Sequence, residues 1–332
     1  MSLPPPRENE MLLGHRDAEA AMLAALRSGR MHHAWLITGP EGIGKATLAY
    51  RFARRLLAGL HEGEDLALPA SNPVFRRVAA GTHADLLTIE REFDEKRKRM
   101  RGEIVVDTIR KVPIFLHLTP AEGGWRVVVI DGAEHMNRNA ANALLKMLEE
   151  PPPRAILLLA CATPGRLLPT IRSRCRTLGL QPLADDLMEQ LLRGALPSST
   201  RAERVELIAL SEGSPGRALL LAEGSGVELA RKAQEILDRL PRVDLAAGLE
   251  LADQLAVTDG PYGNFMDLLR HALATDVRQA ARGESSRLAS LRSPEEWVEV
   301  WQALSRLQGE TEGLNLDKRQ ALIQALTILS GP

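Results

Sequence analysis

One short segment, residues 34–47 with the sequence AWLITGPEGIGKAT, constrains the fold of this chain more than any other. An apolar run leads into Gly39, Gly42 and Gly44, and Lys45 follows directly. Glycines at this spacing allow backbone N–H groups to face phosphate oxygens, while the lysine and the positive end of the next helix add charge. The segment therefore predicts a strand, a phosphate-binding loop and a helix, the opening unit of an α/β nucleotide fold.

The loop departs from the complete motif at the position that serves the metal ion. A Ser or Thr normally follows the lysine and offers its hydroxyl to the Mg²⁺ of a nucleotide. This chain has Ala46 there, and Thr47, one residue later, lies about 100° further around the helix. The segment thus predicts a degenerate nucleotide site, without metal ligands, that is compatible with ATP or ADP bound without hydrolysis. Its candidate residues are Gly39, Gly42, Gly44, Lys45 and Thr47.

Composition narrows the remaining possibilities. The 332 residues are enough for roughly two or three domains, and 45% hydrophobic but only 3% aromatic residues favour helix-rich cores of Leu, Ala, Val and Ile. Lys and Arg number 42 against 43 for Asp and Glu, so no overall charge draws the chain toward nucleic acid or membranes. Two isolated cysteines, Cys161 and Cys175, make neither a disulfide framework nor a zinc site.

The beginning of the sequence and its apolar runs bear on localisation. No basic and apolar leader opens the chain, and its longest apolar run, residues 155–162, is far too short for a bilayer span. We therefore expect a cytoplasmic protein with no membrane partner.

Apolar runs bounded by glycines, prolines and charged residues predict five strands. They cover residues 34–38, 85–89, 126–131, 155–161 and 177–180. Helical patterns separate these runs, which predicts a parallel α/β sheet, whereas the sequence beyond it favours helices alone. The predicted architecture is an α/β P-loop domain at 1–180, a small helical lid at 181–224 and an all-α C-terminal domain at 225–332.

Two helices of the α/β part have clear sequence signals. Leu48, Phe52, Leu56 and Leu60 recur every four positions after the loop and predict a single apolar stripe. Asn137 can cap a second helix, which is predicted to stop before the prolines 151–153. The arginines that lie largely off the apolar stripe are Arg51, Arg54 and Arg55.

The third predicted strand ends in an acidic residue. P-loop ATPases place an acid that holds Mg²⁺ at this strand end, and the next residue, usually Glu, polarises the attacking water. Asp131 fills the first position, but Gly132 stands in the second. Glu134 lies three residues beyond Asp131, and we do not expect it to substitute.

Two arginine motifs complete the pattern. Ser173-Arg174-Cys175 places an arginine at a helix end, and the segment GSPGR opens a later helix with Arg217. In their order along the chain, these features resemble the clamp-loader subunits of bacterial DNA polymerase III, which are AAA+ ATPases, and the delta-prime branch most closely. The segments that carry the resemblance are 39–47, 83–86, 140–152, 173–175 and 213–217.

The resemblance implies a place in a five-subunit ring that opens a sliding clamp and loads it onto primed DNA, with gamma or tau and delta subunits as partners. Delta-prime members are similar in fold but lack working ATPase residues and act as rigid stators. The arginine that matches Arg174, together with Ser173, reaches the nucleotide site of a neighbouring subunit, and Arg217 matches a sensor that couples the lid to nucleotide. Many relatives carry a four-cysteine zinc module, but residues 58–84 contain no cysteine, so no zinc is expected.

Several alternatives stay open on the sequence alone. An active gamma- or tau-like subunit, or another AAA+ ATPase, is favoured by Lys45, Asp131 and Arg217. For Arg174 the role in trans is favoured, and a surface arginine that pairs with a carboxylate is the alternative. The basic run 96–101 is typical of a solvated loop, and a DNA phosphate contact is the alternative. No carboxylate set for nucleotide addition is present, so polymerase activity would belong to the assembly.

Overall fold

The computed structural model describes residues 4–60, 63–94, 99–122, 124–242, 245–256, 259–281, 287–314 and 316–331. The chain divides into two compact units, Met1–Leu219 and Leu220–Pro332. The three-part division made from the sequence, with boundaries after residues 180 and 224, stays a prediction.

All five strands predicted from apolar runs are present in the first unit, in one parallel sheet of order β2-β5-β6-β1-β7. A separate antiparallel pair is formed by β3 and β4. Within the basic run, residues 96–98 lie outside the described residues, and Arg99–Met100 forms β4. The strands are β1 Ala34–Thr38, β2 Leu86–Ile89, β3 Phe93–Asp94, β4 Arg99–Met100, β5 Arg126–Asp131, β6 Ala155–Cys161 and β7 Arg176–Gly179.

Helices surround the sheet and continue beyond it. The helix predicted after Asn137 begins as expected, because the Asn137 side chain accepts the Ala140 N–H at 3.0 Å, and it ends before the prolines 151–153. The first ten helices are α1 Arg16–Arg27, α2 Lys45–Leu57, α3 Pro73–Ala79, α4 Val106–Ile109, α5 Lys111–Leu116, α6 Arg138–Glu149, α7 Pro169–Arg172, α8 Asp185–Ala195, α9 Arg201–Ser211 and α10 Pro215–Ala222.

The second unit is helical throughout its described residues. Leu322, Leu326 and Leu329 are buried along one face of its last helix. None of the helices in the described part of the chain combines the length and apolar character that a bilayer span requires. Its helices are α11 Gly226–Arg239, α12 Leu245–Ala256, α13 Asp259–Ala281, α14 Pro294–Leu314 and α15 Lys318–Ser330.

The register of the sheet gathers the candidate residues at one edge. Thr38 at the end of β1 lies beside Cys161 of β6, and Asp131 at the end of β5 lies beside Ala160. All residues of β6 are buried, as are those of β5 except Asp131, which is why both strands are continuously apolar up to their ends. The loop after β1 therefore lies beside the ends of β5 and β6.

Three arginines of α2 are buried, although they lie off its apolar stripe. Arg54 is 1% exposed and donates to the main-chain carbonyls of Arg7 and Asn9 at 3.1 and 2.7 Å. Burial, and secondly the charge of Arg51, lowers the pKa of Arg54 to about 10. Arg51 forms an ion pair with Glu19 at 2.7 Å. The bonds of Arg54 hold residues 7–9, the N-terminal segment, against α2. Helical spacing within α2 could not indicate a partner so distant in sequence.

Candidate functional site

The P-loop, residues 39–45, has the backbone that its glycines predict. Gly39, Gly42 and Gly44 have φ of +145°, +73° and +107°, a region that side-chain-bearing residues rarely adopt. Lys45 opens α2, and its ammonium donates to the carbonyls of Gly39 at 3.0 Å and Pro40 at 2.7 Å. The loop thus engages its own lysine through main-chain oxygens.

Burial lowers the pKa of Lys45, and nearby carboxylates oppose that shift. Glu134 has the largest opposing effect, followed by Glu41 and Asp131. The lysine is therefore surrounded by acceptors and negative charge supplied by its own chain.

The set of residues that would bind Mg²⁺ in a working ATPase is incomplete in this chain. Ala46 and Thr47 lie in the first turn of α2, where Thr47 is only 7% exposed. Asp131 ends β5, and burial, reinforced by Glu90 and opposed by Lys45, raises its pKa. Residue 46 offers no hydroxyl to Mg²⁺, and residue 132 offers no carboxylate to polarise the attacking water, so these residues do not fit the chemistry of ATP hydrolysis.

The backbone conformation at residue 132 requires a glycine. Its φ is +71°, and a Cβ placed there would lie 2.7 Å from the imidazole carbon Cδ2 of His135. The turn after β5 therefore packs the ring of His135 into the space that a side chain at residue 132 would need.

Glu134 has a structural contact that its sequence position did not reveal. Its Oε1 accepts the N–H of Ala162 at 2.8 Å, which ties the turn after β5 to the end of β6. Burial, and secondly the charge of Glu134, raises the pKa of Cys161 to about 12. The sequence signal that could have indicated this contact is the short spacing of three positions between Asp131 and Glu134. Residues 133–135 form one turn of 3₁₀ helix, which brings residue 134 back to the sheet edge.

The GSPGR segment lies directly on the P-loop. The Gly216 N–H donates to the Gly42 carbonyl at 2.9 Å, and the Ser214 hydroxyl donates to the Glu41 carbonyl at 2.6 Å. A Cβ on Gly42 would lie 2.7 Å from Ser214 Oγ and 2.9 Å from the main-chain nitrogen of Arg217. The structure therefore brings the backbone of Arg217 to the loop, whereas sequence reasoning singled out its side chain and missed Ser214.

Ser173 and Arg174 lie at a different place in the unit, which we call the arginine corner and define by Glu149, Thr170, Ser173 and Arg174. Arg174 Nη1 donates to the Thr170 carbonyl at 3.0 Å, and Nη2 pairs with Glu149 Oε1 at 2.8 Å. The Ser173 hydroxyl also donates to the Thr170 carbonyl, at 3.1 Å. The Arg174 side chain is 35% exposed, so pairing with a carboxylate, one of the two alternatives, occurs within this chain without burying the guanidinium.

The segment 83–86, one of those that carry the resemblance, has a structural role. Asp85 is 1% exposed, and its two oxygens accept the N–H groups of Ala121 at 2.8 Å and Glu122 at 3.0 Å. Arg126, at the start of β5, lies 3.6 Å from the same carboxylate. This buried acid therefore fixes the loop that leads into β5.

Comparison with known proteins agrees with this fold and these motifs. A family model described as DNA polymerase III, delta subunit, matches residues 14–184, just over half of the 332 residues. This chain belongs to that family. Its predicted fold class, a parallel α/β sheet with a P-loop followed by helices, is confirmed.

The most informative relatives are delta-prime subunits. The chain is 41% identical over 217 residues to DNA polymerase III subunit delta' of Pseudomonas aeruginosa, covering 65% of this chain and 63% of that protein. It is 37% identical over 203 residues to the corresponding subunit of Escherichia coli K12, covering 61% and 58%. The matches thus span less than two thirds of either relative, and they confirm the resemblance to the delta-prime branch.

A tau subunit and a gamma subunit-related protein have lower sequence identity with this chain. The tau subunit of Escherichia coli K12 is 29% identical over 281 residues, covering 81% of this chain and 41% of that protein. Among solved structures, a gamma subunit-related protein from Thermotoga maritima is similar with a TM-score of 0.44 and 20% identity, covering 93% and 98% of the two chains. The family assignment depends on the delta subunit model and the delta-prime relatives.

Proposed function

We propose that this chain is a delta-prime-type subunit of a replicative clamp loader. It acts as a rigid stator beside gamma or tau and delta subunits, and it reaches the sliding clamp and primed DNA through that assembly. The proposal is supported by the identity with delta-prime subunits and by the order of the P-loop, the segment 173–175 and the segment 213–217. The role needs no cofactor of its own.

One contrast carries the proposal. Ala46 and Gly132 stand where Mg²⁺ and the attacking water need a hydroxyl and an acid, whereas Arg174 retains a partly exposed guanidinium. An arginine supplied to a neighbouring site stabilises the charge of phosphoryl transfer and raises rates by about 10³–10⁵-fold in related NTPases. The chain accordingly donates Arg174 to the ATP site of a neighbouring subunit and has no significant ATPase activity itself.

The contacts of the P-loop support the stator role. In the family, Arg217 matches a sensor through which nucleotide couples the lid to the loop. Here Ser214 and Gly216 bond directly to the carbonyls of Glu41 and Gly42. A joint made of hydrogen bonds within the chain does not depend on nucleotide, which suits a subunit that stays rigid during the ATP cycle of its neighbours.

The decisive experiment is Arg174→Ala in an assembly reconstituted from this chain and its native partner subunits. We expect DNA-stimulated turnover at the neighbouring ATP site to fall by roughly 10³-fold, so that total turnover falls by the share of that site. Arg174→Lys should not restore it, because an ammonium lacks the planar fork of a guanidinium. Arg172→Ala, which removes an exposed arginine two residues away, is the matched control. Unchanged turnover in Arg174→Ala, with assembly intact by gel filtration, would refute the role in trans.

A second candidate function is that of an active gamma- or tau-like ATPase. The tau match, which covers 81% of this chain, favours it, as do Lys45 and Asp131. ATP hydrolysis by the purified chain, with and without primed DNA, separates the two candidates. Turnover of about 1 per second or faster, within the usual enzyme range, would favour the ATPase.

A further inference from the structure

The segment 140–152 has no functional role in the preceding sections, yet it contains the carboxylate that contacts Arg174. Helix α6 ends at Glu149, because the prolines 151–153 cannot continue it and the residue before a proline avoids helical backbone. Proline also opens α7, at Pro169. The two helix ends that form the arginine corner are therefore both fixed by proline.

The core holds these two ends together. Leu148, next to Glu149, and Ile171, within α7, belong to one buried hydrophobic cluster and are 2% and 0% exposed. Because both helices are anchored through this cluster, the backbone at Glu149 and the carbonyl of Thr170 are held close to Arg174, within reach of its guanidinium. The arrangement is set by the fold of this chain, before any neighbour is present.

The contacts of the guanidinium leave part of it available. Thr170 accepts an N–H from Nη1, and Glu149 Oε1 forms an ion pair with Nη2 at 2.8 Å, so the described hydrogen bonds use one of the five N–H donors of this arginine. Glu149 is 48% exposed and Arg174 35% exposed, and ion pairs of this exposure contribute little to stability. The pair favours one orientation of a long side chain, and such pre-organisation lowers the entropy lost when the side chain engages a phosphate.

We propose that Glu149 is a positioning residue that holds Arg174 ready for the nucleotide of the neighbouring subunit. This inference depends on the proposed function of Arg174 in trans. Glu149 touches no substrate and acts only through the guanidinium. Its effect is therefore confined to the step in which charge develops on the transferred phosphoryl group, a step that appears in kcat rather than in the KM for ATP.

The test measures DNA-stimulated ATP turnover of the reconstituted assembly with Glu149→Ala and Glu149→Gln. We expect kcat at the neighbouring site to fall about tenfold for Ala, which corresponds to about 1.4 kcal/mol, and less for Gln, which keeps an acceptor without its charge. The KM for ATP should not change. Glu150→Gln, which neutralises the exposed carboxylate of the next residue, is the matched control and should leave kcat within twofold.

A double variant separates positioning from a structural effect. In the Arg174→Ala background, Glu149→Ala should cause no further loss, because its only route of action is gone. An additional loss there, an unchanged kcat, or a kcat that rises because Glu149 competes with the phosphate would each overturn the inference. If Arg174→Ala itself leaves turnover unchanged, the proposed function fails and the inference fails with it. If only Glu149→Ala is without effect, the proposed function stands alone.

Discussion

The P-loop and the arginine corner belong to the same α/β unit, but they present their polar groups in opposite ways. At the P-loop, Lys45, Ser214 and Gly216 bond to carbonyl oxygens of the loop itself. At the arginine corner, Arg174 is oriented by one hydrogen bond and one ion pair and remains partly exposed. The difference shows that a P-loop fold can use its glycine-rich loop for internal contacts while a charged side chain elsewhere in the same unit stays partly exposed.

The largest effect on this comparison is expected from a substitution that pushes the P-loop and the GSPGR segment apart. We expect Gly42→Ala to destabilise the chain by about 3 kcal/mol in urea unfolding, because the new Cβ needs left-handed backbone and collides with the Arg217 main chain at 2.9 Å. Gly29→Ala is the matched control, since Gly29 has a similar φ of +65° with nothing within 4 Å of its Cβ. It should cost about 1 kcal/mol. Equal costs for the two variants would mean that the close contact is absent in solution.

A smaller effect is expected from removing one hydrogen bond between the GSPGR segment and the P-loop. Ser214→Ala deletes the 2.6 Å hydrogen bond to the Glu41 carbonyl and the acceptor for the Arg217 N–H, and we expect a loss of about 1–2 kcal/mol. Amide hydrogen exchange at Gly216 should become faster. Ser28→Ala removes a similar but exposed pair of bonds, to Ala25 and Arg30, and should stay within about 0.5 kcal/mol of the parent. If Ser28→Ala lowers the free energy of unfolding as much as Ser214→Ala, the hydrogen bonds of Ser214 contribute no more than those of an exposed serine.

The smallest expected effect concerns the acid at the end of β5. Burial raises the pKa of Asp131 in the folded chain, so the folded state holds this proton more tightly than the unfolded state does. Stability from this group is present below the ordinary carboxyl pKa, near 4, and is lost as pH rises through the folded value. Asp131→Asn should therefore melt roughly 1–3 °C above the parent at pH 7, and the gain should shrink toward pH 4.

The same substitution at Asp186, an exposed residue of the first turn of α8, serves as the control for Asp131→Asn. A gain in melting temperature at Asp131 that is equal at pH 4 and pH 7 would contradict the assignment of the pH effect to this buried carboxyl.

The sheet was predictable from the sequence for a physical reason. Parallel strands buried on both faces contain continuous apolar runs, and residues 127–130 and 155–161 are such runs. The burial of Arg51 and Arg54 in α2 was not predictable, because their partners are distant in sequence. Arg54 donates to the carbonyls of residues 7 and 9, and Arg51 pairs with Glu19. Helical spacing describes one helix at a time, and it carries no information on which distant segment will cover its polar side.

The candidate site was predictable where it depends on backbone geometry, and not where it depends on docking. The left-handed backbone of the P-loop follows from its glycines. The bond between Ser214 and Glu41 joins residues 173 positions apart, so it requires the folded arrangement of α10 over the loop. The sequence also could not indicate whether Glu149 or Glu150 faces Arg174, since both are acids beside the same prolines.

The ring of His135 beside Gly132 limits how the turn after β5 could be redesigned. A glutamate at residue 132 would combine a left-handed backbone with a Cβ only 2.7 Å from the imidazole carbon Cδ2, so the ring would have to move. Engineering a water-polarising acid at this position therefore calls for a second change that makes room for it, at residue 135 or in its surroundings.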